Sequence, residues 1–394
     1  MLKLRSFLVL SLFTLVLCQC QNPVENQKQQ EKDPVMTYKT IAYVAGFRDF
    51  DFSEIQADKL THINYAFANI IDGKVAFGGK TATDEDALKE TDMAELHQLK
   101  EINPKLKVLV SVGGWTWSTY FSEVASTDAK RKVFAKSAVD FLLKYQLDGI
   151  DVDWEYPNQS GAGNPYGPQD IENFTLLLKE MRVQLDAQSI KDARAEQDKY
   201  LLTIATGGDQ AYVANTQLGE AQKYLDFINI MTYDFYNGWH SSTGHHANLS
   251  TAKDDPAEEQ KSILASIKGH VEAGVPLRKI NLGIPFYGRK WEGVEAENNG
   301  LFQKATSVGL IEYYRAIAQD CLTDDDYQQL WDSSAQVPYL WNEKERIFIS
   351  YENQRSIKLK IDYLKKAGLG GVMFWEYSDD YHSELLDAID KGLN

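Results

Sequence analysis

The chain has 394 residues, of which 43% are hydrophobic and 25% charged, a composition typical of a globular protein with a large core. Its formal net charge of −16 would repel a phosphate backbone, and no cluster of basic residues is visible, so we expect no nucleic-acid partner. This length fits either two ordinary domains or one α/β barrel that carries an insertion.

Residues 1–20 contain two basic residues and then an apolar run that ends at Leu17, which indicates an export signal. The run is too short to span a bilayer comfortably, so we predict no membrane-spanning segment. Cys18 and Cys20 follow it, where a bacterial lipoprotein would carry its acylated cysteine. Because Leu17 and Gln19 are bulkier than the residue that usually precedes such a cysteine, a lipid-anchored and a freely secreted protein both remain open.

Residues 21–37 are polar and rich in glutamine, which predicts a flexible spacer before a domain that spans residues 38–394. Cys321 is the one cysteine in that domain. An exported protein with a single remaining cysteine should be stabilised by its core and not by disulfide bonds. We therefore expect an extracytoplasmic, monomeric protein of a bacterial envelope.

Eight short β-rich runs recur from Tyr38 onward, each apolar enough to be buried on both faces. They cover residues 41–47, 61–70, 107–114, 149–156, 201–208, 227–235, 281–289 and 371–378. Helical patterns lie between several of the runs; one of them places Ile171, Phe174 and Leu178 on one side of a helix. This alternation predicts a (β/α)₈ TIM barrel, with a doubly wound sheet as the alternative.

The stretch 290–350 interrupts the alternation because it is too long for an ordinary connection. It contains its own apolar runs and a helical pattern near 308–319. We interpret it as a small α+β subdomain inserted into the barrel. Neither a repeat of fixed period nor a linker to a second module is visible, so binding and chemistry should share the barrel.

The most informative segment reads DGIDVDWEYP and spans residues 148–157. Because side chains alternate along a strand, Asp151, Asp153 and Glu155 should share one face. If that face is the barrel interior, Asp151 and Asp153 cannot easily both be ionised and must share a proton. Their negative charge should raise the pKa of Glu155, near the carboxyl end of the strand, as a general acid requires.

Two alternatives compete with acid catalysis at this segment. An alternating acidic strand can be the solvated face of an edge strand, but burying three carboxylates without a function would be costly. Clustered carboxylates also bind Ca²⁺ or Mg²⁺, but such sites need ligands that converge from a turn, which a straight strand does not provide. We therefore expect neither a metal nor a cofactor.

The segment 148–157 resembles the DxxDxDxE signature of family 18 glycoside hydrolases, the chitinases. Similar matches run along most of the chain: SVGGW at 111–115, MTYDF at 231–235, TGHHANL at 243–249, IPFYGR at 284–289 and LGGVMFWEYSDD at 369–380. The resemblance implies that the α+β insertion lies between the seventh and eighth barrel strands. It also implies a substrate of chitin or chito-oligosaccharides, which are β-1,4-linked N-acetylglucosamine chains.

By this resemblance Glu155 is the proton donor, and Asp153 turns between Asp151 and the N-acetyl group of the substrate. Tyr233 hydrogen-bonds the same acetamide. The nucleophile is the acetamido oxygen of the substrate, so no second enzymic carboxylate is expected at nucleophile distance. The resemblance thus implies a retaining reaction through an oxazolinium intermediate.

Aromatic side chains are the expected sugar platforms, because a pyranose ring packs its apolar face on them. Trp375 resembles the tryptophan beneath the sugar next to the cleaved bond, and Trp115, Trp239 and Trp291 are candidates for further subsites or for the core. Asp234 and Arg289 match sugar-contacting positions, or form a structural ion pair. Gly113 and Gly114 suit close backbone approach or a tight turn. The remaining candidates for substrate contact are Met231, Tyr156, Phe67 and Tyr43.

The chain departs from the family pattern at residues 43–50, where many relatives carry an aromatic-rich YxxxW stretch. The distal subsites therefore cannot be transferred from the family. Two other functions on the same fold stay open: a non-catalytic chitin-binding lectin, and an endo-β-N-acetylglucosaminidase. The presence of Glu155 disfavours the lectin, and the insertion disfavours the endo-β-N-acetylglucosaminidase.

Overall fold

The computed structural model describes residues 37–78 and 91–394. The predictions of an export signal, of a lipid anchor at Cys18 or Cys20, and of a spacer up to residue 36 lie outside the described residues. Within the described ranges, no helix combines the length and the apolar character that crossing a bilayer requires.

The strands of the described residues form two sheets. In chain order they are β1 Lys39–Ala45, β2 His62–Ile71, β3 Lys74–Ala76, β4 Lys107–Gly113, β5 Gly149–Asp153, β6 Leu201–Gly207, β7 Phe227–Met231, β8 Ile280–Pro285, β9 Tyr287–Glu292, β10 Leu310–Tyr313, β11 Gln328–Asp332, β12 Val337–Asn342, β13 Ile347–Ser350 and β14 Gly371–Trp375.

The helices range from single turns to six turns. They are α1 Asp92–Ile102, α2 Gly114–Trp117, α3 Phe121–Ala125, α4 Asp128–Lys144, α5 Asp170–Lys191, α6 Gln210–Ala214, α7 Leu218–Ala221, α8 Ile263–Glu272, α9 Tyr314–Ala316, α10 Gln354–Ala367 and α11 Glu384–Leu393.

The first sheet is a closed barrel of eight parallel strands in the order β1-β14-β8-β7-β6-β5-β4-β2, and β2 pairs back with β1. Strand β3 extends β2 as an antiparallel hairpin outside the barrel. Closure confirms the predicted (β/α)₈ barrel and rules out the doubly wound sheet, which would leave two edge strands.

Two layers of side chains hold the barrel together. Ile150, Val152 and Trp154 point outward into the main hydrophobic core, which they share with Phe174 of α5. The inward-facing residues include fully buried polar groups such as Asn229 of β7. The interior therefore combines hydrogen-bonded polar groups with a separate apolar cluster that includes Ile41, Phe227 and Met373.

Several predicted strands extend too far at their carboxyl ends. Strand β5 stops at Asp153 and not at residue 156, β7 stops at Met231 and not at residue 235, and β14 stops at Trp375. The residues beyond each end alternate aromatic with polar or charged side chains, as a half-buried strand also does, which is why the sequence pattern did not distinguish them from strand. They leave the sheet and form the loops at the face where barrel active sites lie.

The second sheet is the insertion, which lies between the seventh and eighth barrel strands. Its order is β10-β9-β13-β12-β11, and all its pairings are antiparallel. It begins at Tyr287, so residues 287–289, predicted as part of the seventh barrel strand, belong to the insertion. The helical pattern near 308–319 was partly wrong: Leu310–Tyr313 pair with β9 as a strand, and helix starts only at Tyr314.

Candidate active site

Asp151 lies in the centre of the barrel interior and is fully buried. Its carboxylate accepts three hydroxyl hydrogen bonds, from Tyr43 at 2.8 Å, Ser111 at 2.8 Å and Thr203 at 2.5 Å. Ser111 on β4 and Thr203 on β6 are its register partners on the flanking strands, while Tyr43 reaches it from β1 across the interior. Burial raises the pKa of Asp151, and the three hydroxyls oppose this by stabilising the charged form.

Asp153 is two residues further along β5 and shares the inward face. Burial first, and then the charges of Glu155 and Asp151, raise the pKa of Asp153 well above its usual range. Asp151 differs from Asp153 in having three hydroxyl donors, which favour its charged form and oppose the effect of burial on its pKa. The Oδ1 atom of Asp153 is buried and has no hydrogen-bond partner in the described part of the chain.

Glu155 follows the end of β5 and is held through its main chain. Its N–H donates to Ser118 Oγ at 2.9 Å, and its carbonyl accepts from Asn164 Nδ2 at 3.1 Å. The same Asn164 nitrogen donates to the carbonyl of Trp115, and Ser118 Oγ donates to the carbonyl of Asp153. The side chains of Ser118 and Asn164 thus hold the main chain of Glu155 to the end of β5 and to the loop after β4.

Burial raises the pKa of Glu155 from 4.5 to about 7; the Tyr156 hydroxyl partly offsets this, and the charge of Asp234 adds to it. We expected the raised pKa, but the cause differs from the expected one. Burial is the main cause, and the acid that adds to it is Asp234 and not the pair Asp151 and Asp153; the charge of Glu155 instead raises the pKa of Asp153.

The two glycines after β4 allow the neighbouring segments to approach closely. Gly113 and Gly114 have φ angles of 108° and 78°, in the region that side chains rarely adopt. A Cβ atom on Gly113 would lie 2.3 Å from the carbonyl oxygen of Asp153, and one on Gly114 would lie 2.7 Å from the ring of Phe67. Gly113 and Gly114 therefore serve both predicted purposes: they allow a tight turn and a close approach of neighbouring groups.

Asp234 and Arg289 form a bidentate ion pair, with Nε to Oδ1 at 2.8 Å and Nη2 to Oδ2 at 2.7 Å. Tyr287 donates to the same carboxylate at 2.9 Å. Burial acts to raise the pKa of Asp234, but His246 and Arg289 together lower it to about 2. Asp234 is therefore charged at every working pH, and Arg289 joins the insertion to the loop after β7.

An aromatic group surrounds Trp375 at the end of β14. Its ring stacks on Phe67 with a centroid distance of 5.4 Å and contacts Tyr43 at 5.9 Å and Phe47 at 6.5 Å. Met231 and Tyr233 pack on the same interior cluster, and the Tyr233 hydroxyl lies 4.0 Å from the sulfur of Met373. The barrel thus brings the predicted floor residue together with Tyr233 and with three further predicted sugar contacts, Tyr43, Phe67 and Met231.

A second aromatic group lies in the loops after β4, β5 and β7. The Trp115 ring contacts Trp239 at 6.3 Å and Tyr156 at 6.5 Å. Trp239 is 76% exposed and Trp115 is 38% exposed, so both can offer a face to a ligand. Trp291 cannot contact a ligand, because it is fully buried in the core of the insertion, where its indole N–H donates to the carbonyl of His240. The hypothesis that Trp291 is a sugar platform was therefore wrong.

Sequence reasoning missed the residues that orient the carboxylates. Ser111 and Thr203 are polar positions inside otherwise apolar strand runs, and this interruption could have marked them as partners of the acids. Ser118 and Asn164 carry no such signal, because they lie in loops, where a polar residue interrupts no strand pattern. No group of His, Cys, Asp and Glu side chains among the described residues is arranged to hold a metal ion.

A parallel barrel with a buried acid of raised pKa at the carboxyl ends of its strands has the arrangement of a barrel enzyme that uses general acid catalysis. The family model for glycosyl hydrolases family 18 matches residues 38–380. The chain therefore belongs to glycosyl hydrolase family 18.

Curated and solved relatives agree with this assignment. Chitinase A1 of Niallia circulans is 38% identical over 91% of this chain, which spans only 58% of the length of that relative. Chitinase 1 of Aphanocladium album is 33% identical over 88% of this chain and 82% of its own. A family 18 N-acetylglucosaminidase structure from Paenibacillus barengoltzii is 41% identical, covers 90% of this chain and 100% of its own, and has a TM-score of 0.82.

Proposed function

We propose that this protein hydrolyses β-1,4-linked N-acetylglucosamine chains with retention of configuration, using the substrate's acetamide as nucleophile. The observation that carries the proposal is Glu155, a buried carboxyl whose pKa is raised to about 7 and whose main chain is held on both sides. An acid with a pKa near the working pH is protonated when substrate binds and can be deprotonated during turnover.

In the first step the glycosidic C1–O bond breaks as the Glu155 proton passes to the leaving oxygen. The acetamide oxygen of the same sugar attacks C1, which yields a cyclic oxazolinium ion and leaves Glu155 as a carboxylate. In the second step water attacks C1 and gives its proton to Glu155, which restores the acetamide and the acid. The two inversions at C1 give net retention.

Asp153 and Tyr233 are the proposed partners of the acetamide. The unpartnered Oδ1 of Asp153 is suited to accept the acetamide N–H, and a carboxylate there would stabilise the positive oxazolinium ion. For this, Asp153 passes its proton toward Asp151, whose three hydroxyl donors keep it in place. Trp375 forms the floor of this sugar's subsite, and Trp115 and Trp239 offer platforms for sugars beyond the cleaved bond.

The names of the relatives support the substrate class, because they include chitinases and an N-acetylglucosaminidase. To test the proposal, the purified protein would be incubated with chitotetraose and the products identified by mass spectrometry and, for anomeric configuration, by NMR. We expect shorter chito-oligosaccharides that are first released as β-anomers. No cleavage, release of sugar only from glycoproteins, or α-anomers would reject it; the first two results would favour the lectin and the endo-β-N-acetylglucosaminidase, respectively.

A further inference from the structure

Trp239 lies in a tight turn of the loop after β7, and its side chain is 76% exposed. The turn consists of residues 237–240, and we call it the Trp239 turn. The His240 N–H donates to the Asn237 carbonyl at 3.0 Å, and Asn237 Oδ1 accepts the N–H of Trp239 at 3.0 Å. These local bonds fix the shape of the turn, but they do not fix its place relative to the barrel.

The insertion holds this turn through Trp291 of β9. The indole N–H of Trp291 donates to the carbonyl of His240, the residue directly after Trp239, at 2.9 Å. Trp291 is fully buried and packs on Phe348 of β13 with a ring-centroid distance of 6.0 Å. A donor that is fixed in a packed core can hold its acceptor in place, because its own side chain has little freedom to follow a moving loop.

Close packing at Gly309, just before β10, supports the same contact. A Cβ atom at this position would lie 2.5 Å from the Trp291 ring and 2.8 Å from the carbonyl oxygen of Asn237. The Trp291 ring and the Trp239 turn therefore both lie against the main chain of Gly309. A methyl group there would have to displace one of them.

A second side chain of β9 holds the beginning of the same loop. Arg289 lies two residues before Trp291, so the two side chains project from the same face of the strand. Arg289 forms the bidentate ion pair with Asp234. One strand of the insertion therefore holds the loop at Asp234, before Trp239, and again at His240, after it.

Packing in the insertion core would not by itself require the indole N–H of Trp291. Its neighbours in that core include Phe348 and Trp341, which are aromatic. Trp154 is also fully buried, and its indole nitrogen has no hydrogen-bond partner in the described part of the chain. The bond from Trp291 to His240 is therefore the feature that separates a role in holding the loop from a role in the core alone.

We propose that Trp291 is a positioning residue, which holds the Trp239 turn so that the exposed Trp239 ring can pack on a sugar of the bound chain. The insertion thereby contributes to substrate affinity through a residue that does not touch the substrate. The ring of Trp115, 6.3 Å from that of Trp239, belongs to the same binding surface. This inference rests on the proposed function and deepens it, because it uses Trp239 as a sugar platform.

The test compares Trp291→Phe with the wild-type protein in steady-state hydrolysis of chitotetraose. The variant keeps an aromatic ring in the core and loses the bond to His240. We expect KM to rise about threefold to tenfold, which is the worth of one hydrogen bond, and kcat to stay within about twofold, because Glu155 keeps its own contacts. An unchanged KM would overturn the inference and leave the proposed function intact.

A double-mutant cycle separates positioning from a general weakening of the insertion. In the Trp239→Ala background, Trp291→Phe should not raise KM further, since the residue that it positions is gone. A rise of the same size in both backgrounds would overturn the inference, and so would an unchanged KM in Trp239→Ala alone. Neither result touches the proposed hydrolysis, whereas no cleavage of chitotetraose by the wild-type protein would reject the proposed function and the inference with it.

Trp341→Phe is the matched control, because Trp341 is fully buried in the same core but lies on β12, which β13 separates from β9. It should leave KM unchanged, and a rise equal to that of Trp291→Phe would overturn the inference. If Trp291→Phe does not fold, Gly309→Ala takes its place, because the added methyl group displaces the Trp239 turn from Trp291. Gly309→Ala should raise KM in the wild-type background and not in Trp239→Ala; a folded Gly309→Ala variant with unchanged KM would overturn the inference.

Discussion

The main-chain N–H of Glu155 donates to the hydroxyl of Ser118 at 2.9 Å, although the two residues lie on different barrel loops. The single hydroxyl proton of Ser118 is shared between two carbonyl oxygens, that of Gly114 at 2.8 Å and that of Asp153 at 3.1 Å. One buried hydroxyl therefore connects the proposed acid to the end of its own strand and to the loop after β4. This matters because a small displacement of a catalytic acid relative to its substrate lowers the reaction rate strongly.

We predict that Ser118→Ala lowers kcat by about tenfold to a hundredfold, because the acid loses its positional support. The buried N–H of Glu155 loses its acceptor, so the free energy of unfolding should fall by about 1–3 kcal/mol. Steady-state kinetics and urea denaturation measure both effects. Ser126→Ala, which removes an exposed hydroxyl at the end of α3, should change neither; equal losses in both variants would contradict the prediction.

Glu155→Gln should reduce kcat by at least about a hundredfold, since the amide cannot donate the catalytic proton. The amide is nearly isosteric with the carboxyl, so affinity for chitotetraose should stay close to that of the wild type. Turnover assays and isothermal titration calorimetry separate the two quantities. A variant that still turns over at the wild-type rate would remove Glu155 from the mechanism.

The pH profile of kcat/KM should follow the protonation of Glu155 in the free protein. Its pKa is raised to about 7, so the acid form is present below that pH and is lost as the pH rises through it. Activity should therefore fall on the alkaline side with a midpoint near pH 7. Because the negative charge of Asp234 helps to raise this pKa, Asp234→Asn should move the alkaline limb to lower pH; a shift to higher pH would contradict this assignment.

Trp239→Ala should raise KM for chitotetraose by about tenfold with little change in kcat, because a lost stacking surface is worth about 1–2 kcal/mol of binding. The side chain is 76% exposed, so the melting temperature should not change. Ile190→Ala on α5, at a residue that is 79% exposed, is the control for removal of an exposed apolar side chain. An unchanged KM would exclude Trp239 from substrate binding.

Lys360 and Glu352 form a fully buried ion pair, and the Lys360 ammonium also donates to the carbonyl of Ala247 at 2.7 Å. Lys360→Met should lower the free energy of unfolding by about 3–5 kcal/mol, because Glu352 is left charged and buried. Urea denaturation measures this, and adding Glu352→Leu should recover most of the loss. The exposed pair Lys358 and Asp362 on the same helix is the control: Lys358→Met should cost less than about 1 kcal/mol.

The sequence predicted the fold well because periodicity reports which side of an element is buried. Apolar runs of strand length predicted all eight barrel strands. The alternation of Ile150, Val152 and Trp154 also correctly indicated that the outward face of β5 is apolar. The same patterns placed several strand ends too late in the chain and predicted helix for the first half of the 308–319 segment, which is a strand. Leu310 and Ile311, which we assigned to a helical pattern, pair instead with Lys290 and Arg289, respectively, and belong to the edge strand β10.

Local pattern and chain order alone determined that Asp151 and Asp153 lie on one side of a strand, that Glu155 follows at its end, and that an insertion interrupts the barrel. Only the tertiary structure decided which distant groups meet them: the hydroxyls of Tyr43, Ser111 and Thr203 around Asp151, the charge of Asp234 near Glu155, and the hydrogen bond from the Trp291 indole to the carbonyl of His240. The pKa of a buried acid depends on desolvation and on charges a few ångströms away, and closing a barrel brings such groups together from strands that are far apart in the chain.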